Sequence, residues 1–136
     1  MIDSSTIIKI LKLRTIAVVG FSSKIERPSN FVSKYMKENG YKIIPVNPTQ
    51  KKIGTLECFP NLESINEKVD IVNIFRRNEY VPEIVESAIS IRAKSIWMQD
   101  SVHNIESATK AKKAGIMVIM NDCLMRQHKR LIRLLK

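Results

Sequence analysis

The residues best placed to do chemistry lie close together in one stretch. Ser22, Ser23, Lys24 and Arg27 bring two hydroxyls and two cations into a short loop after Gly20 and before Pro28. Glycine lets a backbone turn sharply or approach a ligand closely. Proline suits the first turn of a helix, where its missing N–H is no loss. Free N–H groups, the positive end of a helix dipole and the two cations would then face one spot, which is how an anion is held. The chemistry expected of Gly20, Phe21, Ser22, Ser23, Lys24 and Arg27 is the holding of a nucleotide's phosphates. A second pair of cations, Arg76 and Arg77, follows Phe75. Being adjacent, one of them is expected to face a ligand and the other to meet solvent or Glu79.

Elsewhere the reactive residue types are sparse. No nucleophile with an accompanying base and no metal-ligand spacing is evident, so neither a catalytic set nor a metal site is expected. Cys58 and Cys123 make no disulfide framework, and a reducing cytoplasm is the default compartment. Glu83 and Glu86 share a helix face at i, i+3, where solvated charge is the ordinary reading. His128 falls on the apolar stripe Leu124, Met125, Leu131, Ile132 and Leu135 and reads as a packed histidine, while His103 sits in a loop. Trp97 alternates with Met98 along a strand, and core packing is its expected role.

The net charge of +10, from 23 basic and 13 acidic residues, favours an anionic partner without naming it. The basic cluster Arg126 to Lys136 reads as the solvated outer face of a last helix. No apolar run approaches the roughly 20 residues that cross a bilayer, and no secretory signal is evident, so no membrane partner is expected.

The elements that must position these groups alternate. Ile16 to Val19 is an unbroken run of β-branched and small apolar residues, suited to a strand buried on both faces. Further strands are expected at Lys42–Val46, Val69–Phe75, Lys94–Met98 and Ile116–Met120. Helices are expected before the first strand, over 28–39, from Asn78 or Glu79, over 104–114, and after an Asp122 cap. Pro45 is awkward for a central strand and predicts some irregularity there. The alternation implies βαβ units in a single domain, residues 1–136. The expected fold is α/β, a Rossmann-like doubly wound sheet of five parallel strands in the order 3-2-1-4-5. Ligands of such sheets lie beyond the carboxyl ends of the strands, where the strand order reverses. Gly20 to Arg27, Asn47-Pro48 and Phe75 to Arg77 all fall at strand ends.

A dinucleotide fingerprint would carry three spaced glycines and a later acid gripping the ribose hydroxyls. Here Phe21 and Ser22 follow Gly20, and Asn47 ends the second strand with Lys51 and Lys52 nearby. The missing carboxylate argues against NAD and permits a ligand with an extra ribose phosphate, such as NADP or coenzyme A. An NADP-linked oxidoreductase would need a further substrate-binding element. A nucleic-acid binder would use the basic surface, and is the less expected partner.

Taken together, Gly20-Phe-Ser-Ser, Arg27-Pro-Ser, Gly40-Tyr, Pro45-Val-Asn-Pro, Asp70-Ile-Val-Asn-Ile-Phe-Arg-Arg, Val81-Pro and Ile96-Trp-Met-Gln resemble the single-domain CoA-binding protein family. That family is related to the CoA-binding domain of succinyl-CoA synthetase, and the match runs from about Leu11 to His128. The resemblance implies a Rossmann-like fold that binds coenzyme A or an acyl-CoA as a small binding or regulatory module, with no catalysis of its own. It further implies that Gly20, Phe21, Ser22, Ser23, Lys24 and Arg27 line the phosphates and that Asn47 and Pro48 flank the adenosine. Phe75, Arg76, Arg77 and Val81 would form the opposite wall, with Trp97 to Gln99 near the pantetheine. Cys123, at a helix start, would lie near the end of that arm, where it could form a mixed disulfide. Two positions depart from the family pattern: Ser101 and Arg92 stand where glycine is usual. Protein partners are left open.

Overall fold

Short apolar runs separated by amphipathic helices build the chain, and the computed structural model describes residues 4–135 of it. The ends of the expected 1–136 domain, residues 1–3 and 136, lie outside the described residues. In order, the elements are α1 (Ser4–Leu11), β1 (Thr15–Val19), α2 (Pro28–Glu38), β2 (Lys42–Val46), β3 (Lys52–Ile53) and β4 (Leu56–Glu57). There follow β5 (Ile71–Ile74), α3 (Val81–Ser90), β6 (Ser95–Met98), α4 (Ile105–Lys113), β7 (Met117–Ile119) and α5 (Leu124–Leu131). Single 3-10 turns at Leu62–Ser64 and Asn78–Tyr80 precede β5 and α3. β3 and β4 form a small hairpin around Gly54.

The five longer strands make one parallel sheet in the order β2-β1-β5-β6-β7. Helices cover both sides, so the sheet is doubly wound, as expected. Ala17, Val19, Val72, Ile74, Ile96 and Met98 face α3 and α4, where Val81, Val85, Ala88, Ala108 and Ala111 are buried. Ile16, Val18, Ile71, Trp97 and Ile119 face the opposite way, toward Ile10, Val32, Met36 and Leu124 of α1, α2 and α5.

The strand order corrects the expectation. Counted along the five predicted strands, it is 2-1-3-4-5 and not 3-2-1-4-5, because the third strand pairs with β1 and leaves β2 at the edge. The segment after β2 contributes Leu62 to the α3–α4 face, opposite α2. The chain therefore reverses direction before β5 and keeps its crossovers right-handed. Pro45 is the residue that favours this order. It has no N–H for a second neighbour, and an edge strand does not ask for one. Its carbonyl accepts from Phe59 N–H (2.9 Å), which partly covers the outer edge.

At the amino ends of the strands, Asp70 ties β1 to the start of β5. Its carboxylate accepts from the Arg14 N–H (3.1 Å) and the Thr15 N–H (3.0 Å), with Lys94 at 3.6 Å. Burial works to raise its pKa, but these donors outweigh it and hold the carboxyl below its ordinary range. His128 is packed at the same end, as its stripe position predicts. Its Nδ1 meets the Tyr35 hydroxyl at 2.7 Å, and burial pushes its pKa down. Asp122 does not cap the last helix: that place is Cys123's, and Gln99 Oε1 supplies the bond to Leu124 N–H (3.0 Å).

Both positions that depart from glycine have left-handed backbone, Arg92 at φ 58° and Ser101 at φ 70°. A side chain there costs roughly 1 kcal/mol or more, against roughly 0.5–1 kcal/mol of extra chain entropy for glycine. Arg92→Gly is therefore expected to raise stability by about 0.5 kcal/mol, read as a higher denaturant midpoint. A lower midpoint would show that Arg92 makes contacts that matter more than its backbone strain. Ser101 is braced by Asn121, whose Oδ1 accepts its N–H (2.7 Å) and whose N–H donates to Val102 O (3.0 Å).

Candidate functional site

Parallel pairing sends the ends of β1, β5 and β6 out at one edge of the sheet. Gly20, Phe75 and Gln99 follow those three strands in register, at the point where the chain reverses between β1 and β5. Gly20 donates its N–H to Val46 O (2.9 Å) as the last bond of the β1–β2 ladder, and its φ of 90° then turns the chain out of the sheet. A Cβ at this position would lie 3.0 Å from Arg76 Cδ and 3.1 Å from Phe75 O. Only glycine lets the tip of β5 lie this close.

The loop after Gly20 is braced against the first turn of α2. Ser22 N–H donates to Ser29 Oγ (2.9 Å), Asn30 Nδ2 donates to Ser22 O (2.8 Å), and Lys24 N–H donates to Ser22 Oγ (3.1 Å). Asn47 works as a strut from β2, donating through Nδ2 to Phe21 O (2.9 Å) while its Oδ1 takes the Thr49 N–H and hydroxyl. The start of α2 has no acidic residue in its first turn and no side-chain cap. Its positive end is therefore uncompensated from within the helix.

Two hollows open on this surface, and Gly20 lines both. The larger, about 580 Å³, is walled by Ser22, Lys24 and Arg27 of the loop, by Phe75 and Gln99, and by Cys123 and Arg126 of the α5 start. The smaller, about 290 Å³, lies beside β2 and is walled by Val46, Pro48, Leu62, Arg76, Tyr80 and Glu83. The Arg76 guanidinium lies over the Tyr80 ring, 4.3 Å from its centre. Among the described residues, Lys24, Arg27 and Arg76 enter no salt bridge. Arg126 is held by both oxygens of Asp100 (3.1 and 2.8 Å) and by Asp122 (3.0 Å). The cations left to meet an anion are those of the loop and β5.

Of the residues singled out from sequence, Gly20, Ser22, Lys24, Arg27, Phe75 and Gln99 are brought together in the larger hollow, and Gly20, Pro48 and Arg76 in the smaller. Five others are placed elsewhere. Phe21 turns into the core on the α2 side. Ser23 lines a separate shallow surface near β3 and β4. The Asn47 side chain is spent on Phe21 and Thr49. Arg77 is exposed and lines neither hollow, and Val81, the first residue of α3, is fully buried against the sheet. Trp97 is also fully buried, donating its indole N–H to Asp122 O (2.9 Å).

Sequence reasoning missed Leu62, Tyr80, Glu83, Ser87, Asp100 and Arg126 as lining residues. One signal was available: Arg76 and Tyr80 are four residues apart across a short turn, which suits a cation on a ring. Among the described residues there is no acidic, histidine or cysteine cluster fit for a metal, and no helix long and apolar enough to cross a membrane.

Comparison with known proteins adds a family to this geometry. Residues 14–129 match the family described as "CoA binding domain". The chain is 39% identical over 115 residues to YneT of Bacillus subtilis, a protein described as uncharacterized, covering 85% of each chain. It is 35% identical over 74 residues to the ADP-forming acetate–CoA ligase II of Archaeoglobus fulgidus, a match covering 53% of this chain and 11% of that enzyme. Among solved structures, a hypothetical protein from Pyrococcus horikoshii superposes with a TM-score of 0.93 at 38% identity, covering 96% of this chain and 93% of the other.

Proposed function

This chain belongs to the CoA binding domain family, and on that premise we propose that it binds coenzyme A or an acyl-CoA across the two hollows that share Gly20. The shared glycine is the observation that carries the reading. One ligand, with a flat base at one end and a long arm at the other, would run from one hollow to the other over a position where any side chain is strained and crowded. The adenine would enter the smaller hollow beside β2, against Pro48, Leu62 and Tyr80. The phosphates would meet Lys24, Arg27 and the Ser29 N–H in the first turn of α2, with Arg76 across from them. The pantetheine arm would then follow Phe75 and Gln99 toward Cys123. This is a binding or regulatory module of a reducing, cytoplasmic compartment, with no reaction of its own. The ligase of Archaeoglobus fulgidus is similar over only a small share of its length, so we carry over the ligand and not the reaction.

Calorimetric titration with CoA, dephospho-CoA, NADP and NAD tests the reading. CoA is expected to bind most tightly, and loss of the 3′-phosphate to weaken binding about tenfold or more, the worth of a charge-assisted contact. Equal affinity for dephospho-CoA would sink the placing of the cations on the 3′-phosphate. Tight binding of oligonucleotides with a steep salt dependence, uncontested by CoA, would favour a nucleic-acid partner instead.

Arg27→Ala provides a residue-level check. Arg27 is exposed and supports no other part of the fold through its side chain. Stability should stay within about 0.5 kcal/mol of the parent, while CoA affinity should fall about tenfold by the same calorimetry. Unchanged affinity would remove Arg27 from the site.

A further inference from the structure

The two hollows differ in charge, and the difference gives the ligand a direction. The larger carries the unpaired cations Lys24 and Arg27 beside the Asp100–Arg126 ion pair, while the smaller sets one carboxylate, Glu83 on its α3 wall, against one cation, Arg76. Glu83 makes no salt bridge among the described residues. Its neighbour one turn along, Ser87, lines the same hollow from the same helix face. On the opposite wall is Asn61, which spends its Oδ1 on Ser64 N–H (2.8 Å) and keeps its Nδ2 as a donor. The smaller hollow therefore offers an anionic acceptor flanked by neutral donors, around a floor of Val46, Leu62 and Ile84. The α3 wall, away from Arg76, disfavours a phosphate. It suits the edge of a base that presents an amino group beside a ring nitrogen, which is the pattern of adenine.

Resting on the reading that CoA is the ligand, we infer that Glu83 accepts a hydrogen bond from the adenine 6-amino group and is the residue that selects the base. Ser87 or Asn61 donates to the adjacent ring nitrogen. The stacked Arg76–Tyr80 pair forms the side of the slot, so the base is held by its face and recognised at its edge.

The experiment is a cycle of two proteins and two ligands. Adenosine 3′,5′-bisphosphate and its analogue lacking the 6-amino group are titrated into the parent protein and into Glu83→Ala. In the parent, removing the amino group is expected to weaken binding about tenfold or more, as for a hydrogen bond to a charged acceptor. In Glu83→Ala, the two ligands should bind equally. Glu83→Gln should restore part of the discrimination, since its carbonyl still accepts. Glu83 is exposed, so the variants should keep the parent's unfolding midpoint.

An equal loss for both ligands in Glu83→Ala would overturn the inference, because the carboxylate would then act without touching the amino group. No loss at all would overturn it too. A parent protein that binds CoA but is indifferent to the 6-amino group refutes this inference alone. A parent that binds no CoA refutes the reading beneath it.

Discussion

Gly20→Ala is expected to lose both stability and ligand affinity, more than any other single-methyl change in the chain. Two effects add. The backbone stands at φ 90°, a conformation that costs a side chain roughly 1–3 kcal/mol. The new Cβ would also press on Arg76 Cδ at 3.0 Å and on Phe75 O at 3.1 Å. The Arg76 stem can give way, but the Phe75 carbonyl is backbone next to the end of β5, where the Phe75 N–H is tied to Val19 O (2.9 Å), and it yields less easily. The expected cost is about 2 kcal/mol or more in denaturant unfolding, together with at least a tenfold loss of CoA affinity as Arg76 leaves its place. Gly40→Ala is the matched control. Gly40 has φ 95°, but a Cβ there meets nothing within 4 Å. It should lose stability through strain alone and leave CoA affinity unchanged. If the two variants behaved alike toward CoA, Gly20 would be an ordinary turn glycine.

Trp97→Ala is expected to be the most damaging core change. The indole is fully buried in the cluster with Ile16, Val18 and Leu124, and its N–H donates to Asp122 O. Deleting it leaves a large cavity and an orphaned carbonyl at the start of α5, a loss of about 3–5 kcal/mol. That is much of the total stability, roughly 5–15 kcal/mol, of an ordinary domain. Trp97→Phe should cost less, keeping most of the volume and losing the bond. Because Asp122 and Cys123 begin the segment that lines the larger hollow, a Trp97→Phe protein that remains folded is also expected to bind CoA less tightly. A Trp97→Ala protein with near-parent stability would contradict the packing described.

The fold was legible in sequence wherever the chain's own chemistry left one choice. Ile16 to Val19 is too short and too β-branched for a helix, and the helical stripe of α2 carries a stop signal at Gly40. Strand order was harder because periodicity says nothing about which neighbour a strand takes. Pro45 holds that information, since a residue without an N–H belongs at an edge, although from sequence alone it predicts no more than an irregularity. The loop from Gly20 to Arg27 was legible because its residue types converge on one chemistry. Within it, the facing of each side chain was not. Phe21 and Ser23 turn away from the hollows while Ser22 and Lys24 line one of them, a distinction set by the braces from Ser29 and Asn47. Glu83 looked like a solvated charge for a similar reason. Its spacing from Glu86 describes the helix surface, and only the reversal of the chain between β1 and β5 brings that helix beside Gly20 and Pro48.

A crystal structure of the chain with bound CoA tests the central claim most directly. The account predicts one molecule lying across Gly20, its phosphates within about 3 Å of the Lys24 and Arg27 side chains and the Ser29 N–H. The adenine would lie between Pro48 and Tyr80 and the thiol on the Cys123 side of Gln99. CoA bound at another face, or threading from the Cys123 side with its adenine among the loop cations, would contradict it.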